Sequence, residues 1–524
     1  MDSTSITRTR EIALKDFSGG LNNYWDPSSI SDNEVSALVN MEFTPNGALQ
    51  SRPPVVDSGF GSPVSGQYID ILGYFMTSAG VRYIVATTDA KTWVFNTVSP
   101  AWTEIWAYKA TGYVQYAEEV VLCKASTGGT RWKPGVGSTA ISTMPALDGL
   151  LVYRDRMFGW GVAGTANQTT FYYSNIITLI DATGVYTWDT DNNAAVVGRG
   201  DGQAITMMIA DTDKIFIFKT GSTYLFTYLA SGIATSGQID LFQAGIGAEN
   251  KESVAAYRNG YVVLHDQTLY RLQNNGFTPL NSQQVVFSTK AATPAYKKNF
   301  ALSVFGDRAI VWFSGNIYVI NLLTGTWGQW ESTTDIAYIK QMPAISTEIL
   351  ANEVGYGITG SGTSSKWVIY KIINSPITGS SSESFTCKVK TKIYDFETPV
   401  EWKRLYWWAA DVSAKGTVTA KAYVVALSGT NTTWDTLDLT TWDALDTRTW
   451  DRLSDADAVV TSTRTISGDI PQRALLKLEN ALRFRRIYFE VYLNCDGTSA
   501  TAPAQIFTLT PVLGIKAKQT QGVS

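Results

Sequence analysis

The chain contains a single histidine, His265, and only three cysteines among its 524 residues. Nucleophilic catalysis of the Ser-His-Asp or Cys-His type requires an imidazole, and zinc, iron and copper sites draw on several His or Cys ligands. His265 ends a strand pattern, so we interpret it as a turn residue. Cys123, Cys387 and Cys495 are too far apart for a disulfide framework or a zinc pattern. We therefore predict that the protein is not an enzyme and has no cofactor and no metal.

Long apolar runs are also absent. The first sixteen residues are polar and charged, which predicts no secretory signal. The longest charge-free stretch, residues 157–180, includes Asn167, Gln168 and Asn175, which a lipid-spanning helix of about 20 apolar residues would not carry. We expect no membrane span.

Charge is scarce, whereas aromatic residues are abundant. Charged residues make up 17% of the chain, with 42 Lys+Arg against 46 Asp+Glu and a net charge of −4, and aromatic residues reach 12%. An ordinary globular domain has about 25% charged residues. This composition favours large buried cores and excludes intrinsic disorder.

The hydrophobic pattern alternates with a period of two along almost the whole chain, which is typical of strands. Short strand pairs recur around two-residue turns, as in 214–219 with 222–227, and 309–313 with 316–321. Roughly six to eight such units, each of about 40–50 residues, match the spacing of four-stranded propeller blades. The sequence predicts a mainly β protein with a β-propeller over residues 61–375. An array of β-sandwiches or a β-solenoid stays open as an alternative.

The first 60 residues do not follow this pattern. Ser31 stands three residues before Glu34 with apolar neighbours, which is the signature of a helix N-terminal capping box. We expect a short helix from Ser31 to about Met41. Residues 1–60 are thus predicted to be an N-terminal arm with one docking helix, ordered mainly on assembly because so short a helix is marginal alone.

A second domain is predicted after a Ser-rich linker at residues 376–384. Residues 385–524 alternate like the strands of a β-sandwich. Within them, residues 431–454 form an insertion in which Trp434, Trp442 and Trp450 recur every eight residues in a Trp-Asp-x-Leu repeat. The repeat either packs on its own sandwich or forms a contact between subunits, where tryptophan is a frequent anchor.

One basic cluster stands out, formed by Arg473, Lys477, Arg483, Arg485 and Arg486 around Glu479. Nucleic acid is one possible partner, but no aromatic stacking pattern or groove-reading helix accompanies the cluster. We interpret it as a charged rim or as a contact to an acidic neighbouring subunit.

Several motifs, taken in order, resemble those of the propeller-containing tail hub or nozzle proteins of tailed bacteriophages, including packaged-DNA stabilisation proteins. These motifs are Phe17-Ser18-Gly19-Gly20-Leu21-Asn22, Asp32-Asn33-Glu34, Asn40-Met41-Glu42, Gly47 to Pro53, Asp213–Lys219 with Tyr224, Gly245 to Ala248, Gly260–Leu272, Trp402-Lys403-Arg404 and Arg485 to Glu490. The Trp-Asp-x-Leu repeat is not part of this pattern.

The resemblance implies a virion structural protein, made in the host cytoplasm, that forms a hexameric ring below the portal and adaptor. Such a ring retains packaged DNA and forms the conduit for its ejection, without sequence-specific binding. The candidate assembly contacts are Ser31, Glu34, Trp434, Trp442, Trp450, Arg483, Arg485 and Arg486. A receptor-binding or polysaccharide-degrading tail protein and a cellular scaffold propeller stay open as alternatives.

Overall fold

The structure is a computed structural model of the chain. It describes residues 7–44, 48–53, 55–64, 67, 69–176, 187–190, 193–227, 237–273, 276–280, 284–287, 300–313, 316–331, 336–342, 354–359, 368–373, 385–396, 403–413, 416–425, 458–466, 472–484, 486–495 and 505–516. Trp434, Trp442, Trp450, Arg485, the 376–384 linker and the 431–454 insertion lie outside these ranges.

Six short strands open the chain. They are β1 (Thr7–Glu11), β2 (Gly20–Leu21), β3 (Glu34–Val39), β4 (Met41–Phe43), β5 (Leu49–Ser51) and β6 (Val55–Asp57).

Seven four-stranded units, here named sheets A to G, follow within the described part of the chain. Six are separate sheets, and sheet F is one end of a ten-stranded sheet. Sheet A holds β7 (Asp70–Met76), β8 (Arg82–Thr87), β9 (Thr92–Asn96) and β10 (Ala101–Trp106); sheet B holds β11 (Gly112–Tyr116), β12 (Glu119–Cys123), β13 (Gly129–Lys133) and β14 (Gly137–Ile141). Sheet C holds β15 (Gly149–Tyr153), β16 (Arg156–Trp160), β17 (Thr170–Tyr173) and β18 (Ala194–Val196); sheet D holds β19 (Ile205–Ala210), β20 (Lys214–Lys219), β21 (Ser222–Thr227) and β22 (Gln238–Ala244).

Sheet E holds β23 (Val254–Tyr257), β24 (Gly260–His265), β25 (Thr268–Gln273) and β26 (Gly276–Pro279), and a 3₁₀ turn at Lys251–Ser253 precedes it. Sheet F holds β27 (Phe300–Phe305), β28 (Arg308–Phe313), β29 (Asn316–Asn321) and β30 (Trp327–Trp330); sheet G holds β31 (Ile336–Met342), β32 (Val354–Thr359), β33 (Val368–Ile373) and β6.

Each of the seven sheets runs antiparallel, and the innermost strands pack against their neighbours: β7 on β11, β11 on β15, β15 on β19, β23 on β27, β27 on β31, and β31 on β7. Phe216 and Phe218 of sheet D share a core with Val263 and Leu272 of sheet E. The fold is therefore a β-propeller, as the sequence predicts. The strand pairs β20–β21 and β28–β29 also confirm the predicted hairpins.

Sheet G is completed from a distant part of the chain. Its fourth strand is β6, which pairs antiparallel with β33 through Asp57–Tyr370, Val56–Lys371 and Val55–Ile372. The N-terminal segment therefore joins the two ends of the propeller.

Seven long or medium strands follow the propeller: β34 (Phe385–Thr391), β35 (Lys403–Ser413), β36 (Gly416–Val425), β37 (Ala458–Ile466), β38 (Gln472–Phe484), β39 (Arg486–Cys495) and β40 (Gln505–Lys516). They build two sheets. The long sheet continues sheet F in the order β30-β3-β34-β39-β36-β37, with β2 beside β3, and the six-stranded sheet has the order β38-β35-β40-β5-β4, with β1 beside β40. Trp408 and Phe489, with ring centroids 5.0 Å apart, pack between these two sheets.

The helix predicted from Ser31 is wrong. Ser31 N–H donates to Glu34 Oε2 at 2.7 Å, which is one of the two capping-box contacts, whereas Glu34 N–H donates to the Ser31 backbone carbonyl. Both hydrogen bonds close a turn, after which Glu34–Val39 runs as strand β3 between β30 and β34. Pairing on both sides outweighs the local capping signal, because Val35 and Leu38 thereby enter the main core.

The predicted N-terminal arm is likewise built into the fold. Phe17, Leu21, Val35, Met41 and Leu49 lie in the same core as residues of sheet F and of both C-terminal sheets. The expectation that this segment becomes ordered mainly on assembly is therefore not supported.

The propeller's central opening is crossed at one end by the side chain of Lys251. Lys251 precedes the inner strand of sheet E, yet its Nζ donates to the carbonyl of Thr111, before the inner strand of sheet B, at 2.6 Å. It also lies 3.7 Å from Asp148 Oδ1, before sheet C. Sheets B and E are not neighbours in the ring, so this contact spans the opening.

Candidate assembly site at the junction of the propeller and the C-terminal sheets

Glu34 organises an exposed loop at the start of the chain. Its Oε1 accepts from Asn22 Nδ2 at 3.0 Å, while its Oε2 accepts from Ser31 N–H. Asn22 is itself buried, and its Oδ1 accepts the N–H groups of Tyr24 and Trp25 at 3.2 and 3.3 Å. The carboxylate therefore fixes the backbone on both sides of residues 23–30.

This loop presents two aromatic side chains to solvent. Tyr24 is 49% and Trp25 51% exposed, and their rings meet edge to face with centroids 5.1 Å apart. Asn23 ties the loop to the propeller, because it donates to the Val286 carbonyl at 3.1 Å and accepts from Val286 N–H at 2.8 Å. The aromatic pair is thus held in a defined position, which lowers the entropy cost of burying it in a contact.

A groove of about 480 Å³ lies where the N-terminal segment meets the C-terminal sheets. We call it the junction groove; it is lined by Ile12, Leu14, Ser28, Asp32, Lys392, Ile393, Tyr394, Asp395, Phe396 and Arg486. Tyr394 and Phe396 stack in it with centroids 5.5 Å apart, and Lys392 Nζ lies 2.6 Å from Asp32 Oδ1. The groove thus combines two acidic and two basic side chains with an aromatic floor.

Two titratable groups here are shifted. Hydrogen bonds from the side chain and backbone of Ser28, with a smaller contribution from the Arg486 charge, hold the pKa of Asp26 below its ordinary value. Burial, assisted by the Asp32 charge, raises the pKa of Tyr394 well above its ordinary value. At neutral pH Asp26 is therefore ionised and Tyr394 is neutral.

Asn40 and Arg52 join the propeller to the C-terminal sheets at the start of β34. Asn40 Oδ1 accepts from Arg52 Nε at 2.9 Å and from Glu331 N–H at 2.7 Å, and Asn40 Nδ2 donates to the Thr386 carbonyl at 2.9 Å. The buried Arg52 guanidinium lies 4.1 Å from the Phe385 ring centroid. Because every link is directional, these residues fix the orientation of the long sheet on the propeller.

The structure brings only part of the predicted contact set together. Ser31, Glu34 and Arg486 lie at or beside the junction groove. Arg483, by contrast, is on β38 opposite Arg404, in the six-stranded sheet. Arg473 pairs with Asp411 at 3.1 Å in that same sheet. The predicted basic cluster is therefore divided between two sheets, and Trp434, Trp442, Trp450 and Arg485 stay predictions.

The sequence interpretation overlooked three lysines on β34 and just after it: Lys388, Lys390 and Lys392. Their signal was present, since Lys occupies every second position of Lys388-Val389-Lys390-Thr391-Lys392. Alternation in a strand places all three on one face.

The described ranges offer few side chains for metal binding or catalysis. No group of three or more His, Cys, Asp or Glu side chains there could hold a metal ion, and no described helix is long and apolar enough to cross a membrane. His265 ends β24 beside a turn, as predicted, with Nδ1 3.7 Å from Glu249 Oε1.

Comparison with known proteins gives only distant likenesses. No protein-family model and no curated protein matches the chain. Among solved structures, the chain is similar to PorZ, a bacterial surface component of the type-IX secretion system of Porphyromonas gingivalis (10% identity, TM-score 0.37, 62% of this chain and 42% of PorZ). It is also similar to the WD40 β-propeller domain of Doa1, with 8% identity and a TM-score of 0.39 over 61% of this chain and 97% of that domain. A third similar structure is the β-propeller domain of Cps50 (Swd1) from Myceliophteria thermophila, with 8% identity and a TM-score of 0.39 over 61% of this chain and 100% of that domain.

Proposed function

We propose that this chain is a structural protein of a bacteriophage tail: a ring-forming hub or nozzle below the portal and adaptor that retains packaged DNA and forms the conduit for its ejection. Each subunit is a seven-bladed propeller, closed by β6, that carries a sandwich-like C-terminal domain. The ring is a homo-oligomer with sixfold symmetry, and the protein resides in the virion.

The observation that carries this proposal is the convergence of the motifs that resemble tail hub proteins. Asn22 contacts Glu34, Asn40 contacts Arg52, and Glu42 Oε2 accepts from Arg308 Nε at 2.6 Å. Lys403 is fully buried and Glu490 nearly so. Met41, Leu264 and Phe489, which belong to motifs hundreds of residues apart, lie in one buried core. This convergence favours a common architecture over chance matches.

The exposed Tyr24–Trp25 pair and the junction groove supply one of the two different surfaces that a head-to-tail ring requires. Trp, Tyr and Arg are the side chains most often found as energetic anchors of interfaces. An obligate ring contact buries roughly 2,000 Å² or more, so the groove would be one part of a larger interface.

Native mass spectrometry of the purified full-length chain, together with a map of the virion, tests the proposal. We expect a six-subunit ring on the tail axis below the portal. A monomer that binds several cellular proteins would instead support the scaffold alternative, and a position outside the axial DNA path would exclude the nozzle assignment. Cleavage of capsule or lipopolysaccharide would support the polysaccharide-degrading alternative.

The tryptophan repeat has its own test. The W442A/W450A variant should lower ring occupancy more than it lowers the melting temperature, and particles without the ring should leak packaged DNA. An intact sixfold ring in this variant would assign the tryptophans to packing within the subunit.

A further inference from the structure

The outer face of the long sheet is positively charged although the whole chain has a net charge of −4. On β34 the inward residues Cys387, Val389 and Thr391 are buried, so Lys388 and Lys390, followed by Lys392, project from the other face. On β39 the inward positions are likewise buried, and the outward ones are Arg486, Tyr488, Glu490 and Tyr492. We call this surface the lysine face; its two strands present four cations against one carboxylate.

The lysines are held in place by their neighbours. Lys388 and Lys390 Nζ lie 3.5 and 4.0 Å from Glu490 Oε1. Each is also above a tyrosine ring, with Lys390 4.2 Å from the Tyr488 centroid and Lys388 5.4 Å from that of Tyr492. The two ammonium groups share the single buried carboxylate of Glu490, so a positive charge remains at the centre of the face.

Apart from Glu490, the carboxylates found near the lysine face among the described residues lie at one end of it. Asp32 pairs with Lys392, and Asp26 is close enough to Arg486 for its pKa to be lowered by that charge as well as by Ser28. Lys388 and Lys390 lie farther along the strand and share the Glu490 carboxylate. The surplus of positive charge therefore lies around Lys388 and Lys390.

This composition fits a nucleic acid better than a protein. The buried centres of protein interfaces are depleted of lysine and rich in apolar side chains. Protein–DNA interfaces are polar and positively charged, and Lys, Thr, Asn and Tyr are common donors to phosphate oxygens. The outward positions of β34 and β39 hold such residues, including Thr386 and Asn494, and no aliphatic side chain.

The tyrosines do not form a stacking platform for bases. Tyr488 is only 8% exposed, and the Lys390 ammonium lies over its ring. Proteins that bind single strands need accessible aromatic faces. Contacts to the phosphate backbone are what this surface can offer, and these carry no sequence information.

We infer that the lysine face binds the phosphate backbone of duplex DNA weakly, without sequence preference and with strong salt dependence. The choice of duplex DNA as the polyanion rests on the proposed function. Spacing supports the inference, since alternate residues of a strand are about 6.7 Å apart, similar to successive phosphates of a nucleic-acid backbone. In a ring, such contacts would hold DNA without preventing its passage.

The test is fluorescence anisotropy of a labelled DNA duplex with the purified full-length chain over a range of salt concentrations. The variant K388Q/K390Q/E490Q removes two lysines together with the carboxylate that they flank, so no charge is left without its partners. The control K109Q/K133Q/E104Q makes the same charge change at exposed residues of the propeller. Thermal melting of all three proteins confirms that they are folded.

We expect the slope of log K against log salt to fall by about 0.9 for each lysine that contacts a phosphate. The control should keep the wild-type slope. Equal losses in both variants, or no binding by the wild-type chain at low salt, would overturn the inference. Preferential binding of poly-glutamate over duplex would assign the face to an acidic protein instead. Ring formation and virion location are measured separately, so failure here leaves the proposed function standing.

Discussion

Lys219 is fully buried at the end of β20, and its ammonium group is completely surrounded by acceptors. Nζ lies 2.8 and 2.7 Å from the two carboxylate oxygens of Asp201 and 2.7 Å from the Val197 carbonyl. Asp201 is the acidic residue of an Arg199-Gly200-Asp201 tripeptide. Its carboxylate binds Lys219 within the subunit. The pair therefore has a structural role in sheet D.

We expect D201N to lower the free energy of unfolding by roughly 3 kcal/mol, because a buried ammonium loses its counter-charge. Urea unfolding followed by fluorescence measures the change. A double variant, K219M/D201N, should recover most of the loss. If the single variant matches the wild type within error, the pair is too well solvated to matter.

Cys123 and Cys387 are buried and reduced, and they offer a residue-scale probe of folding. Burial raises the pKa of the Cys123 thiol to about 12. At pH 8 its thiolate fraction is therefore about a thousandfold below that of a free thiol, whose pKa is about 8.5.

In a C387S/C495S background, Cys123 should react with a thiol reagent only when urea exposes it. Because the reactive thiolate increases as pH rises towards the raised pKa, any native-state labelling should accelerate with pH. Rapid labelling of the native protein at neutral pH would contradict the buried position of Cys123.

Among the elements, the N-terminal segment differs most from what its sequence suggests. Its capping-box residues are correctly recognised as a local pair, but they form a turn rather than a helix start. Local hydrogen bonds are readable from sequence, whereas the pairing of β3 with β34, about 350 residues later, is not. The β20–β21 hairpin was predictable for the complementary reason, since its partners are separated by two residues.

At the candidate site the same limit applies. Glu34 and Arg486 were singled out individually, yet their shared groove depends on long-range packing of residues 26–34 against 392–396. Recognising the lysine face from the sequence would have required knowing which side of β34 faces the core. Composition and period define strands, but not which strands lie side by side.

Deletion of residues 1–29 should destabilise the whole fold, contrary to the expectation for an arm. Phe17 and Leu21 are 2% and 3% exposed, and loss of one buried Phe costs roughly 3–5 kcal/mol. Thermal melting and limited proteolysis measure the effect, with deletion of residues 1–6 as the control. A truncated chain that melts like the wild type would restore the docking-arm interpretation.

At the scale of the whole molecule, closure of the propeller by β6 can be tested with a covalent bond. Val56 and Lys371 are register partners, so V56C/K371C should form a disulfide that holds sheet G together. A bond across so long a loop typically stabilises by about 2–4 kcal/mol.

Non-reducing electrophoresis and melting with and without reductant would show this stabilisation. The control is the offset pair V56C/I369C, which should cross-link poorly because Ile369 lies two positions before the register partner of Val56. Equal cross-linking of both pairs would mean that β6 does not hold this register.

Lys251 closes the central opening of the propeller to ions. Its side chain crosses the central opening, and its ammonium group lies 3.7 Å from Asp148 Oδ1, so ions meet a steric barrier along the propeller axis. In a ring of such subunits, ionic current would flow through the lumen shared by the subunits and not through the separate propeller axes. A ring inserted across a synthetic nanopore should therefore show one conductance level, and K251A should raise that level by opening a path along the propeller axes.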